Sequence, residues 1–132
     1  MKTTFARLRQ QLWRVYQALG RTLRAMTPTQ PLIPGSFYLM RRKCGKPTCR
    51  CARGQLHPAW VLTRSEAGIH KLYSVPADQR AQVRQRAAAW RRCQRARAQF
   101  VKQTAALLAL ADRLTQAQTV AWPKRKPKPL SR

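Results

Sequence analysis

Three cysteines and a histidine fall within fourteen residues: Cys44, Cys49, Cys51 and His57, spaced C-x4-C-x-C-x5-H. Zinc takes four tetrahedral ligands from thiolate and imidazole, and three cysteines with one histidine form a common structural set. Gly45 and Gly54 supply backbone freedom inside the chelate loops, and Pro47 stiffens the first of them. Lys46, Arg50 and Arg53 favour the thiolate form that a metal needs. Other uses of these residues stay open at this stage. Cys93 could join the three cysteines in two disulfides, a single thiol could be reactive, and His70 or Cys93 could replace His57 as fourth ligand. The spacing matches neither the C2H2 finger nor the retroviral knuckle.

The same stretch carries six bases: Arg41, Arg42, Lys43, Lys46, Arg50 and Arg53. Across all 132 residues there are 28 Lys and Arg against three acids, Glu66, Asp78 and Asp112, for a net charge of +25. Such a charge repels itself unless a polyanion neutralises it. Nucleic acid is the first candidate, because each contacted phosphate releases counterions. An anionic membrane surface is the competitor, and a merely solvated surface normally mixes both signs. A second basic set lies at Arg80, Arg84, Arg91, Arg92, Arg95 and Lys102, where residues 80–102 hold eight bases and no acid. Arg80, Arg84, Arg91, Arg95 and Lys102 share one helical arc of roughly 60°. A third set, Lys124, Arg125 and Lys126, lies in a proline-rich tail. Tyr38, Trp60 and Trp90 are the candidates for stacking on bases.

These groups need elements to position them. Residues 1–26 contain an amphipathic basic helix over 3–26, with Phe5, Leu8, Leu12, Val15, Leu19, Leu23 and Met26 as its seam. Residues 27–35 hold three prolines and a glycine, and read as a linker or sharp turn. Residues 36–76 read as a zinc-knuckle module with a short strand near 36–43 and a hairpin whose loop is the four residues "SEAG". So small a sheet needs a metal or a covering helix. Residues 77–118 read as one long helix with Asp78 in its first turn. On that helix, Val83, Ala87, Trp90, Val101, Ala105 and Leu108 form the packing arc, and Leu107, Leu108, Leu110 and Leu114 a broad apolar surface. Residues 119–132 read as a disordered basic arm. The fold class expected is α+β: a small zinc-stabilised three-stranded sheet flanked by an N-terminal helix and a long C-terminal helix. Intrachain pairing of the two helices is preferred, with a homodimer as a further option.

The segment "GSFYLMRRKCGKPTCRCARGQLHPAWVL", followed by "YSVP" and a basic helix, resembles a family of small uncharacterised prokaryotic proteins. Their core is C-G-K-x-x-C-R-C-A-x-G-x-x-H, matched here by Cys44, Gly45, Lys46, Cys49, Arg50, Cys51, Gly54 and His57. This chain has "HPAW" where the family tends to have "HGPY", so Trp60 is the aromatic of that strand. The resemblance implies an accessory role in mobile elements. The partner would then be a transposase, a recombinase or an RNA-guided effector.

Catalysis is not expected. Three scattered acids cannot build a two-metal nuclease centre, and a Cys3His site leaves no open metal position. No phosphate-binding GxxxxGK[ST] or GxGxxG motif occurs. A tyrosine nucleophile (Tyr16, Tyr38 or Tyr73) lacks the supporting histidines. No run of apolar residues is long enough to span a bilayer, and the N-terminus lacks a secretory pattern. The expected setting is cytoplasmic, in a nucleoid or ribonucleoprotein complex, with one structural Zn2+ and no membrane partner. The rival reading is a protein adaptor that docks an acidic partner through its leucine seams.

Overall fold

The computed structural model describes residues 2–123 and 125–131, with side chains from Thr4 onward. Lys124 therefore lies outside the described residues. The elements are helix α1 (Lys2–Met26), strands β1 (Ser36–Arg42), β2 (His57–Glu66) and β3 (Ile69–Ser74), and helix α2 (Arg80–Gln118). A 3-10 turn (Arg50–Arg53) interrupts the β1–β2 loop and another (Ala77–Gln79) precedes α2. The class is α+β, with the expected helix–sheet–helix order. Asp78 sits in the turn before α2 rather than in its first turn.

The chain divides into two compact units, Leu23–Ala98 and Met1–Thr22 with Gln99–Arg132. In the first, the strands form an antiparallel sheet in the order β1-β2-β3. The register pairs Phe37 with Leu62 and Leu62 with Tyr73, so those three side chains share a face. Leu62, Val75 and Ala87 form the core there, with Ile33, Phe37 and Val83 packed around them. Ala87 is small, which lets α2 lie close to the sheet. Val61, in the middle of the central strand, is completely buried. The segment before β1 is strapped down, because the Ile33 N–H donates to the Arg86 carbonyl at 3.2 Å.

The hairpin is tighter than the four-residue loop expected. Glu66 pairs with Ile69, so the turn is only Ala67 and Gly68, with φ of 51° and 80°. Two left-handed residues twist the backbone to suit a two-residue hairpin. Glu66 stays in the strand because its carboxylate has partners there. It accepts from Arg64 Nε at 2.6 Å and from the Tyr73 hydroxyl at 2.6 Å, and Lys71 Nζ lies 2.9 Å away.

In the second unit the early turns of α1 lie beside the late turns of α2. One cleft is lined by Thr4, Arg7, Leu8 and Gln11 with Arg113, and another by Phe5, Ala6 and Arg9 with Gln118. The helices are therefore antiparallel. Leu8 is buried, and Phe5, Leu12, Val15 and Leu19 are half-buried. From α2, Phe100, Leu107, Leu110 and Leu114 are half-buried.

Two seam assignments need correction. Thr22 is buried, whereas Leu23 is 48% exposed. Steps of four and three from Leu8 through Leu12, Val15 and Leu19 land on Thr22, and its hydroxyl is satisfied by the Ala18 carbonyl at 3.0 Å. On α2, Val83 and Ala87 do pack, but Val101 and Leu108 are 58% and 60% exposed and Ala105 is exposed. The first turns of α2 pack on a sheet and the last turns on a helix. No single arc serves both.

Gly35 and Gly20 separate backbone need from mere tolerance. At Gly35, φ is 131° and an added Cβ would lie 2.7 Å from the Thr63 carbonyl oxygen. Mid-helix Gly20 has nothing within 4 Å of that position. Gly35→Ala is expected to lower stability by about 2–4 kcal/mol. Gly20→Ala is expected to raise it by about 0.5–1 kcal/mol. Denaturant melts of the two variants check both signs.

The Glu66 carboxyl is held at about 2, against an ordinary 4.5, by the Tyr73 hydroxyl first, then Lys71 and Arg64. Its contribution to stability is thus present above pH 4.5 and is lost as pH falls toward 2. Glu66→Gln should melt below the wild type at neutral pH, with the gap closing across that acid window. A gap unchanged at low pH would mean that the carboxylate's charge contributes nothing.

Candidate metal centre

The sheet register brings the four donors together. Arg42 ends β1 and faces His57, the first residue of β2. The intervening loop starts and finishes at one place, so Cys44 and His57 converge whatever lies between. Gly45 takes φ of 85°, a conformation open to glycine. The Cys49 N–H donates to the Lys46 carbonyl at 3.2 Å, and the chain enters the 3-10 turn at Arg50. This turn resolves the crowding of the C-x-C pair, because it carries Cys51 inward while Cys49 stays at its entrance. Gly54, at φ of 108°, closes the turn with its N–H on the Cys51 carbonyl at 3.2 Å.

Cys44 Sγ, Cys49 Sγ, Cys51 Sγ and a ring nitrogen of His57 all lie within 4.8 Å of one another. Cys44 Sγ is 3.4 Å from Cys51 Sγ, and Cys49 Sγ is 3.0 Å from His57 Nε2. A tetrahedral zinc with Zn–S near 2.3 Å sets its sulfurs about 3.8 Å apart. The donors therefore surround a space of the right size for one ion. The Cys44 backbone N–H also donates to Cys51 Sγ at 3.3 Å, which suits a sulfur carrying negative charge. Cys51 is buried, Cys49 half-buried, and Cys44 and His57 exposed.

The thiols respond to these contacts. Cys44 is held below its ordinary value by the Lys46 backbone N–H first and by Cys51 second. Cys49 is lowered by the Cys51 backbone N–H and then by His57. At Cys51 the Cys44 N–H pulls downward, but burial and the two neighbouring sulfurs outweigh it and raise the thiol. Three sulfurs this close resist sharing negative charge unless a cation sits among them. The chemistry of the set fits zinc, and four protein donors are the complement that a structural zinc site uses.

The alternatives for the fourth ligand fall elsewhere. His70 is an exposed residue of β3, opposite Ser65. Cys93 donates from Sγ to the Met26 carbonyl at 3.1 Å. All four cysteines are free thiols.

The bases divide into two groups. Arg41, Arg42, Lys43, Lys46, Arg50 and Arg53 are all exposed around the cluster. Arg92, Arg95 and Lys102 are exposed on α2, as are Arg125 and Lys126 in the tail. Others make contacts within the fold, although Arg84 and Arg91 are exposed too. The Arg84 guanidinium sits 5.0 Å from the Trp60 ring centre and 5.6 Å from that of Phe37. Arg91 donates to Ser36 Oγ at 2.8 Å. Arg80 is half-buried, with its Nε buried and unpartnered among the described residues. Of the candidate stacking residues, Tyr38 is 40% exposed and Trp90 half-buried. Trp60 is half-buried and stacked on Phe37 at 5.0 Å. The Arg84 and Arg91 contacts escaped the sequence reading because periodicity places a residue on an arc without saying which partner borders it.

The profile of a family described as Domain of unknown function (DUF6788) matches residues 5–85. The chain belongs to this family. The match takes in the whole Cys3His loop and the sheet that closes it. Curated proteins and solved structures give no match. Among the described residues no helix is long and apolar enough to cross a membrane.

Protein purified without added zinc should contain about one zinc per chain by elemental analysis. Cys51→Ser should abolish retention and lower the melting temperature, and His57→Ala should weaken zinc binding by about 100-fold or more. Full affinity in His57→Ala would place the fourth ligand elsewhere.

Proposed function

We propose that the protein is a zinc-stabilised nucleic-acid-binding accessory protein that works without catalysis. The observation that carries this reading is the position of the bases. Six exposed cations gather here, Arg41 and Arg42 at the end of β1 and Lys43, Lys46, Arg50 and Arg53 in the loop that carries the cluster, and Glu66, whose two ion pairs are with Arg64 and Lys71, draws on none of them. A bound metal would make that loop rigid, so its guanidinium and ammonium groups would meet phosphates with little ordering cost. Arg92 and Arg95 extend the basic surface of the same unit, and Lys102 and the tail add non-specific attraction.

The adaptor reading is weakened by the seams it would use. Leu8 is buried and Leu12, Leu19, Leu107, Leu110 and Leu114 are half-buried within the helical-pair unit, which leaves Leu108 there and Leu23 at the end of the α1 seam as the exposed seam leucines. The metal set is closed by protein donors, and the Glu66 carboxylate is occupied by three neighbours, which argues against catalysis by either. The family resemblance supports a role beside a transposase, a recombinase or an RNA-guided effector, and a thiolate metal set suits the reducing compartment where such a complex would work.

Binding to DNA or RNA should weaken steeply and log-linearly with salt. Replacing Arg50, Arg53, Arg92 and Arg95 together with Gln should reduce that slope by about 3–4, at close to one released counterion per lost phosphate contact. No binding at low salt, or a flat salt response, would overturn the proposal. An unchanged slope in the variant would remove these four residues from the contact surface.

A further inference from the structure

Within the helical-pair unit, α1 carries a feature that neither the metal centre nor the helix seam uses. Trp13 and Tyr16 are 58% and 57% exposed, yet their rings are stacked, with centroids 5.3 Å apart and planes 26° from parallel. They lie three residues apart, on the flank of the α1 seam rather than within it. Leu12 and Val15, their neighbours in sequence, are the half-buried seam residues.

Large aromatic rings are costly to leave in water, and the fold offers these two no cover. Their surroundings are cationic. Arg9 lies one turn before Trp13, Arg14 and Arg21 are exposed on the same helix, and residues 2–26 contain no acid. Gly20 follows Tyr16 by one turn, and nothing occupies the space its missing side chain leaves. A stacked aromatic pair with open space one turn on, Arg9 one turn before it and further arginines along an acid-free helix suits one chemistry closely. An unpaired base stacks on the rings while its phosphates reach the arginines. A base inside a duplex has both faces covered by its neighbours and cannot do this. A second copy of the chain fits poorly, because it would bring another +25 against these arginines. A membrane surface would call for a broad apolar face, whereas here Gln10, Gln17 and Arg14 border the two rings.

We propose that Trp13 and Tyr16, with Arg9 one turn before Trp13 on the same face, form a binding site for single-stranded nucleic acid. The site rests on the nucleic-acid reading above and deepens it. The loop and α2 bases contact phosphates of any strand, and α1 selects for unpaired bases. The same comparison explains why Trp60 is the poorer platform: Phe37 is stacked on it and Arg84 lies over it.

The test uses the full, zinc-loaded chain with short oligouridine and a DNA duplex of equal length, at one low salt concentration. Trp13→Ala/Tyr16→Ala should lose about tenfold or more in affinity for the single strand, with duplex affinity unchanged. Trp13→Phe/Tyr16→Phe keeps the flat rings and should bind the single strand nearly as the wild type does. Circular dichroism should show the same helix content in all three proteins, since the two side chains are exposed. Unchanged single-strand affinity in the alanine variant overturns this site while leaving the phosphate reading intact. Equal losses for single strand and duplex also overturn it, because base stacking would then play no part. A wild type that binds neither ligand removes the parent reading and this site together.

Discussion

Four donor atoms within 4.8 Å of one another set the terms for the sheet-bearing unit. Three of them are sulfurs, which cannot all ionise at this spacing unless a cation sits among them. With a divalent ion the set carries a net charge near −1, and the repulsion becomes a bond network. The consequence reaches beyond the loop. Arg42 faces His57 across the sheet, so the ligands staple the open end of the β1–β2 pair. That pair holds Leu62 and Phe37, which with Val75 and Ala87 make up most of a very small core. A core of that size leaves little margin on its own. A metal held by this set would do for the sheet what a larger hydrophobic interior does elsewhere.

How much of this was legible depends on what kind of constraint each feature obeys. The ligand set was readable because metal chemistry restricts residue types and the sheet register closes the loop. Both helices and all three strands were readable because each runs long enough for its apolar period to emerge. The failures are local choices between near-equivalent residues. Leu23 is more apolar than Thr22, yet a repeat of steps four and three puts Thr22 inside, where its hydroxyl can bond the Ala18 carbonyl. Val101 and Leu108 continue a pattern begun by Val83 and Ala87, but the pattern has no reason to persist once the packing partner changes from sheet to helix. The hairpin is shorter than "SEAG" suggests because Glu66 finds three partners inside the sheet. None of these outcomes is encoded in one segment alone.

The arginines show the same principle from the other side. A helical arc identified Arg80, Arg84, Arg91 and Arg95 as one row, and periodicity treats them alike. Packing separates them. Arg84 uses its flat guanidinium against Trp60 and Phe37, and Arg91 reaches Ser36 Oγ. With so few carboxylates in the chain, a ring face and a hydroxyl are the partners within reach. Arginine suits such roles better than lysine, because its charge is spread over a plane and is weakly hydrated. Arg92 and Arg95 stay exposed on the same stretch of helix. Arg84 and Arg91 remain exposed as well, so these bases serve the fold without leaving the surface.

This accounting bears on how one chain could both fold and bind a polyanion. Charges of one sign destabilise the compact state most where they crowd, and they crowd most in the loop between β1 and β2. Four of the six bases share that loop with the three cysteines, whose net charge with a divalent metal bound would be opposite in sign. The counterweight is small, so most of the positive field still points outward. A stronger internal counterweight, such as a ring of carboxylates, would relieve the repulsion but also cancel that field. The composition resolves the conflict in one direction: it keeps Glu66 for the hairpin and leaves the metal loop without an acid. Under the proposed function, compaction near the loop would draw on a metal ion from inside and an anionic ligand from outside, and each would make the other's geometry easier to hold.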